Sequence, residues 1–184
     1  VSTVLPTGVV GSLPAGLLLR PLEPHGDDRG TFIEVYRHEW ETAVHPVQWN
    51  VAHSEAGVLR GVHVHPRHDD YLTVVRGRAI IGVRDLRDES ETAGAAACIE
   101  LCAEQPSAIT IPHGVAHGFY FAEPSTHVYA VSHYWDMVDE LGCRWDDPAL
   151  AIPWPQEEAH ISPRDEALPP LEALRGELRE AWRG

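Results

Sequence analysis

Between residues 31 and 134 the chain alternates short apolar stretches with turn residues. The stretches run over 31–37, 46–54, 58–65, 71–77, 79–86, 98–102, 107–112, 118–122 and 126–134. Several alternate with period two. In the last, Thr126, Val128, Ala130 and Ser132 share one face, while His127, Tyr129 and Val131 share the other. About nine strands, starting roughly every ten residues, predict an all-β sandwich or barrel. Past residue 160 the period changes. Leu171, Leu174, Leu178 and Trp182 recur at helical spacing, so a short C-terminal amphipathic helix is expected against the barrel. Ser162 followed by Pro163 reads as an N-cap and a first-turn proline. The proline- and tryptophan-rich stretch "CRWDDPALAIPWPQ" (143–156) reads as an ordered loop without repetitive structure. No internal repeat interrupts the pattern. One domain is expected over residues 1–184, with its β core at about 20–160 and its helical segment at about 163–183.

Composition narrows the function. Hydrophobic residues make up 43% of the 184, which suits a packed core. No apolar run approaches the ~18–20 residues of a membrane span, and the N-terminal stretch lacks a basic leader. The three cysteines form no CxxC pair, so a reduced, cytoplasmic location is expected. The formal charge of −14 argues against nucleic acid and anionic membranes as partners. It leaves room for a small anionic ligand held by a few arginines. All 14 basic residues are arginine, and Arg20, Arg29, Arg37, Arg60, Arg67, Arg76, Arg78 and Arg84 are among those in the first half.

The densest chemistry lies in "RGVHVHPRHDDYLTVVRG" (60–77). His63 and His65 stand two apart, so a strand points both to one face. Asp70 follows, and "PHGVAH" (112–117) adds His117. With Gly57 and Gly77 these spacings resemble the two motifs of the cupin fold, aspartate standing where glutamate is usual. His63, His65, Asp70 and His117 make a plausible nitrogen and oxygen donor set for a divalent transition metal such as Zn, Fe, Mn or Ni. Plainer readings stand beside these. His63 also suits a hydrogen-bonded histidine lining a barrel, Asp165 a charge complementing a helix dipole, and Tyr129 a core tyrosine. His25, His38, His45, His53, His127, His133 and His160 read as surface or structural residues.

A longer pattern runs through the chain in order: "DDRGTFIEVY" (27–36), "VQWNVAHSEAGVLRGVH" (47–63), "IPHGVAHGF" (111–119), "VYAVSHYW" (128–135), "RWDDPALAIPWP" (144–155) and "ISPRD" (161–165). Over roughly residues 20–172 the chain resembles the dTDP-4-dehydrorhamnose 3,5-epimerase family. The resemblance implies a cupin-type double-stranded β-helix, a jelly-roll barrel, that pairs as a homodimer. It implies an isomerase without a cofactor, acting on a dTDP-linked 4-keto-6-deoxy sugar at C3, C5 or both. The histidine closing the "RGLH" block, here His63, is then the base. The aspartate of "ISPRD", Asp165, orients it, and Tyr129 is the acid. Arg60 and His117 match residues that hold the sugar and its developing oxyanion. Arg29, Phe32 and Glu34, with Gln48 and Asn50, match the nucleotide-binding positions.

Three positions depart from the family pattern. His65 replaces a glutamine, Tyr71 stands where a sugar-binding lysine is expected, and Trp135 replaces a tyrosine near the sugar. These departures create the metal-compatible set, which competes with proton transfer for His63. A metal-dependent cupin enzyme and a non-catalytic sugar-nucleotide-binding barrel therefore remain as alternative readings.

Overall fold

A computed structural model describes residues 8–183. It contains thirteen strands: β1 (Val9–Gly11), β2 (Leu18–Pro21), β3 (Pro24–Asp27), β4 (Gly30–Ile33), β5 (Gln48–Ser54), β6 (Val58–Val64), β7 (Asp70–Arg76), β8 (Arg78–Asp85), β9 (Ala96–Cys102), β10 (Ser107–Ile111), β11 (Val115–Phe121), β12 (Ser125–Val131) and β13 (Leu141–Gly142). Two helices follow, α1 (Pro163–Glu166) and α2 (Leu171–Ala181). A six-stranded sheet in the order β1-β9-β8-β11-β6-β13 faces a five-stranded sheet in the order β2-β10-β7-β12-β5. Their strands pair antiparallel throughout. This is the expected cupin-type barrel. The β3–β4 hairpin belongs to neither sheet.

The alternation read from the sequence explains why the barrel closes. Leu72, Ile81, Ile99, Ile109, Ile111 and Phe121 meet between the sheets at one end, each at most 1% exposed. The odd-facing residues serve the outer surfaces. Val62, Val64 and Ala116 point out of the six-stranded sheet and pack under Leu171, Leu174 and Leu178 of α2. Burying each of those leucines contributes roughly 1.5–3 kcal/mol. On the other sheet Tyr71, Ala108 and Ala130 face outward, where they are covered by Leu22, Val44 and the segment carrying Tyr36 and Trp40. The opposite end of the barrel interior is left open as a cavity.

The C-terminal expectation is half right. Leu171, Leu174 and Leu178 are buried along α2, but Trp182 stays 40% exposed, its indole N–H donating to the Pro66 carbonyl at 3.1 Å. Ser162 does not start that helix. Its hydroxyl caps α1, a single turn, by accepting the Asp165 N–H at 3.1 Å. Pro169 and Pro170 separate the two pieces, since neither proline has an N–H to continue a helical ladder. The start of α2 is tied instead by the Leu171 N–H to the Asp147 carboxylate at 2.8 Å.

Glycine permits two close approaches near the cavity. Gly61 sits at φ +107°, where a Cβ would lie 2.8 Å from the His117 carbonyl. Gly142 pairs with His63, and a Cβ there would meet the Val62 carbonyl at 2.6 Å and the His63 ring at 3.2 Å. Both keep β11 and β13 tight against the strand that carries His63. No helix among the described residues is long and apolar enough to cross a membrane.

Candidate active site

The cavity occupies about 500 Å³ between the sheets. Strands β7, β11 and β12 each lend it the side chains of one face. β6 supplies Arg60 and His63, and His65 lies just beyond its end; β7 supplies Asp70 and Leu72. β11 supplies His117 and Phe119, and β12 supplies His127, Tyr129 and Val131. The short turn α1 closes one side with Asp165, and Trp135 and Glu140 come from the segment before β13.

His63 is held between two carboxylates. Its Nε2 lies 2.8 Å from Asp165 Oδ1, and its Nδ1 lies 3.4 Å from Glu140 Oε1. Asp165 is fixed in turn: its Oδ2 accepts the Gly61 N–H at 3.3 Å. Burial alone would raise the Asp165 pKa, but the bonds from His63, Gly61 and Ser162 hold it below the usual carboxylate range. Asp165 therefore stays ionised, and its carboxylate is spent on His63 rather than on a helix dipole. Glu140 is likewise held low against its burial, with the His63 and His65 rings, Trp135 and Arg164 favouring the anion. The Trp135 indole N–H donates to its Oε2, and Arg164 lies 3.4 Å from its Oε1.

Tyr129 projects from the opposite sheet. Burial raises its pKa above the ordinary value, with Glu140 and Asp70 adding to the effect, so the hydroxyl keeps its proton. Arg60 is anchored by Nε to Ser54 Oγ at 2.9 Å and by a terminal nitrogen to the His53 carbonyl at 3.0 Å. Beside them is a buried cluster. His65 Nε2 and His117 Nε2 lie 3.5 and 3.6 Å from the same oxygen of Asp70. His68 stacks on His65 with ring centroids 3.7 Å apart and meets Asp139 at 2.6 Å. Burial pushes the pKa values of His65 and His117 down to about 4 and raises that of Asp70.

The expected residues divide cleanly. Arg60, His63, Asp70, His117, Tyr129, Trp135 and Asp165 all reach the cavity, together with His65. Arg29, Phe32, Glu34, Gln48 and Asn50 do not line it. Arg29 pairs with Asp27 at the hairpin tip, Glu34 pairs with Arg37, and Phe32 is 64% exposed. Gln48 donates to Asn50 at 2.9 Å on the edge strand β5.

Tyr71 is displaced from its expected role. It faces out of the barrel, and its hydroxyl donates to the Val35 carbonyl at 2.6 Å. The side chain that β7 turns into the cavity at that level is Asp70. The four-residue metal set is also not formed. His65, Asp70 and His117 converge, whereas His63 is turned to Asp165 and Glu140. His127, read as a surface or structural residue, is not at the surface: it is 3% exposed and also lines the cavity. His160 lines it as well. Glu140 and Asp139 carried no signal in the sequence, because loop closure alone brings them to the histidines; His68 lies in the dense stretch 60–77 but at no motif position.

The comparisons with known proteins agree on one group. The sequence model of the family described as dTDP-4-dehydrorhamnose 3,5-epimerase matches residues 13–173. A dTDP-4-dehydrorhamnose 3,5-epimerase of Salmonella typhimurium is 32% identical over 171 residues, covering 88% of this chain and 93% of the relative. Among solved structures, a dTDP-6-deoxy-D-glucose-3,5-epimerase of Legionella pneumophila in complex with dTDP-4-keto-L-rhamnose superposes with a TM-score of 0.82 at 29% identity, covering 92% of this chain and 96% of that one. A 3'-monoepimerase of Streptomyces bikiniensis in complex with dTDP-quinovose gives a TM-score of 0.82 at 32% identity, covering 92% and 93%.

Proposed function

The chain belongs to the dTDP-4-dehydrorhamnose 3,5-epimerase family, and from that premise we propose how its cavity performs the reaction of a nucleotide-sugar epimerase. The substrate class is a dTDP-linked 4-keto-6-deoxyhexose. Its ketone acidifies the hydrogens on the flanking carbons C3 and C5, so a base of ordinary strength can remove one and leave an enolate. Protonation from the other face then inverts the carbon.

His63 is the base in this reading. The pair it forms with Asp165, at 2.8 Å beside the cavity, is the observation that carries the proposal. An Nε2–H donated to Asp165 leaves the lone pair on Nδ1, and the carboxylate stabilises the imidazolium that forms. Glu140, 3.4 Å from Nδ1, adds to that stabilisation. Tyr129 is the acid. It stands on β12 in the five-stranded sheet, while His63 stands on β6 in the six-stranded sheet. A sugar ring lying between the sheets would present one face to each, which inversion requires. Arg60 supplies charge for the ketone oxygen and the phosphates, and His117, uncharged and with its Nδ1–H turned to the Val115 carbonyl, offers Nε2 as an acceptor for a sugar hydroxyl.

The nucleotide is assigned to Arg29, Phe32, Glu34, Gln48 and Asn50, with a second copy of the chain as partner. Two features support the homodimer. The β3–β4 hairpin stands apart from both sheets with Phe32 exposed, and the edge strand β5 exposes Trp49 and Val51. A hairpin reaching the cavity mouth of a second copy would join the two sets of residues.

Incubation with a dTDP-4-keto-6-deoxyhexose in heavy water tests the reaction. Deuterium at C3 or C5 of the recovered sugar is the expected result, and its absence contradicts the reading.

A further inference from the structure

We propose that His65, Asp70 and His117 form a binding site for one divalent transition-metal ion in the cavity wall, separate from His63. His65 Nδ1 lies 3.0 Å from the Asp139 carbonyl, and His117 Nδ1 lies 3.1 Å from the Val115 carbonyl. A carbonyl only accepts, so each Nδ1 carries the hydrogen and each neutral ring has its lone pair on Nε2. Both Nε2 atoms face Asp70 Oδ2, at 3.5 and 3.6 Å. Two ring lone pairs and a carboxylate oxygen thus converge, with no hydrogen on either facing nitrogen.

The distances favour an ion over hydrogen bonds. They exceed the ~2.7–3.2 Å of an N–H···O bond. They match the edge of a tetrahedron with bonds of ~2.0–2.1 Å, which is about 3.3–3.4 Å. Two imidazoles and a carboxylate suit Zn, Mn, Fe, Co or Ni. Backbone carbonyls gripping the far ring nitrogens are the support that metal-binding histidines commonly have. A second observation points to the same place. His68, 1% exposed, has its Nδ1 on Asp139, while its Nε2 is buried without a hydrogen-bond partner 3.9 Å from Asp70 Oδ1. A third ring nitrogen, itself unsatisfied, therefore lies within reach of the other oxygen of Asp70.

His63 is left free. Its ring nitrogens meet Asp165 and Glu140, so an ion at this site and a base at His63 coexist. Three protein ligands leave a coordination position open to the cavity that all three line. The arginines lining that cavity, Arg60 and Arg164, are engaged with Ser54 and His53 and with Glu140. The ion would add positive charge where the wall otherwise holds a carboxylate, suited to polarising a ketone oxygen. That use rests on the epimerase reading; the binding does not.

The test is calorimetric and spectroscopic. Tag-free protein is stripped with chelator and titrated with Co²⁺. One equivalent should bind, with visible d–d absorption, and D70N and H65N should each weaken it at least tenfold, while H63N leaves it unchanged. Binding below a tenth of an equivalent overturns the site, and so does an affinity that neither D70N nor H65N alters. If circular dichroism shows either variant unfolded, NMR of the wild type decides: Co²⁺ must shift or broaden the His65 and His117 ring protons first. Deuterium exchange is measured on the same protein. Exchange without binding overturns the site alone; binding without exchange overturns the epimerase reading alone.

Discussion

His63 and Asp165, 102 residues apart in sequence, meet through Nε2 and Oδ1 at 2.8 Å. The contact is fixed by the Gly61 N–H, which donates to Asp165 Oδ2, and by the Ser162 cap that sets the Asp165 backbone. D165N keeps the shape but offers an amide in place of the anion. Turnover should fall by about 10²–10⁴-fold with KM little changed. Steady-state kinetics on the 4-keto sugar nucleotide separates this from a fall in affinity, which would raise KM instead.

Removing the acid should leave the first half of the reaction. In Y129F the base still takes a proton and solvent still returns one to the same face. Deuterium should therefore enter the sugar while the inverted product falls by about 10²-fold or more. Equal loss of exchange and product would assign Tyr129 a structural role.

Glu140 reaches His63 through charge, at 3.4 Å. In E140Q the imidazolium formed on proton transfer loses one partner, worth roughly 1.5–3 kcal/mol for a charged contact, or about 10–100-fold in turnover. KM should stay constant, which distinguishes a positioning residue from a substrate contact.

His127 predicts a pH dependence of stability. Burial, then the charges of Arg60 and His53, pushes its pKa down to about 4 in the folded chain. The unfolded chain takes up a proton below about 6.5, while the folded chain resists until about 4. The stabilisation is therefore complete above pH 6.5 and is lost as pH falls towards 4, on the order of 3 kcal/mol. H127F cannot take that proton, and its ring can still stack on Phe121, whose centroid lies 5.4 Å from that of His127. Urea midpoints at pH 7 and pH 4.5 should show a smaller fall for H127F than for the wild type.

The barrel was legible because a half-buried strand writes its two faces into alternate residues. The stretches read at 46–54, 58–65, 71–77 and 126–134 hold β5, β6, β7 and β12, with ends shifted by at most three residues, and His127, Tyr129 and Val131 do share the cavity face. The short strands β1, β2, β3 and β13 carry two to four residues each, too few to show alternation. Period two also governs β7. A shift of one residue exchanges inside for outside: Tyr71, read at the expected lysine position, faces out, while its neighbour Asp70 faces the cavity. His63 and Asp165 were legible only through the sequence blocks that carry them. Glu140 and Asp139 were not, because they sit in an irregular segment that reaches the histidines through tertiary folding; Asp139 bonds His68 across 71 residues.

The central claim is that His63 takes the proton. Wild type and H63N are incubated with the same 4-keto sugar nucleotide in heavy water, and deuterium at C3 and C5 is followed by NMR. Steady incorporation by the wild type is expected, with incorporation by H63N at no more than the rate in enzyme-free buffer. Incorporation by folded H63N at the wild-type rate would contradict it.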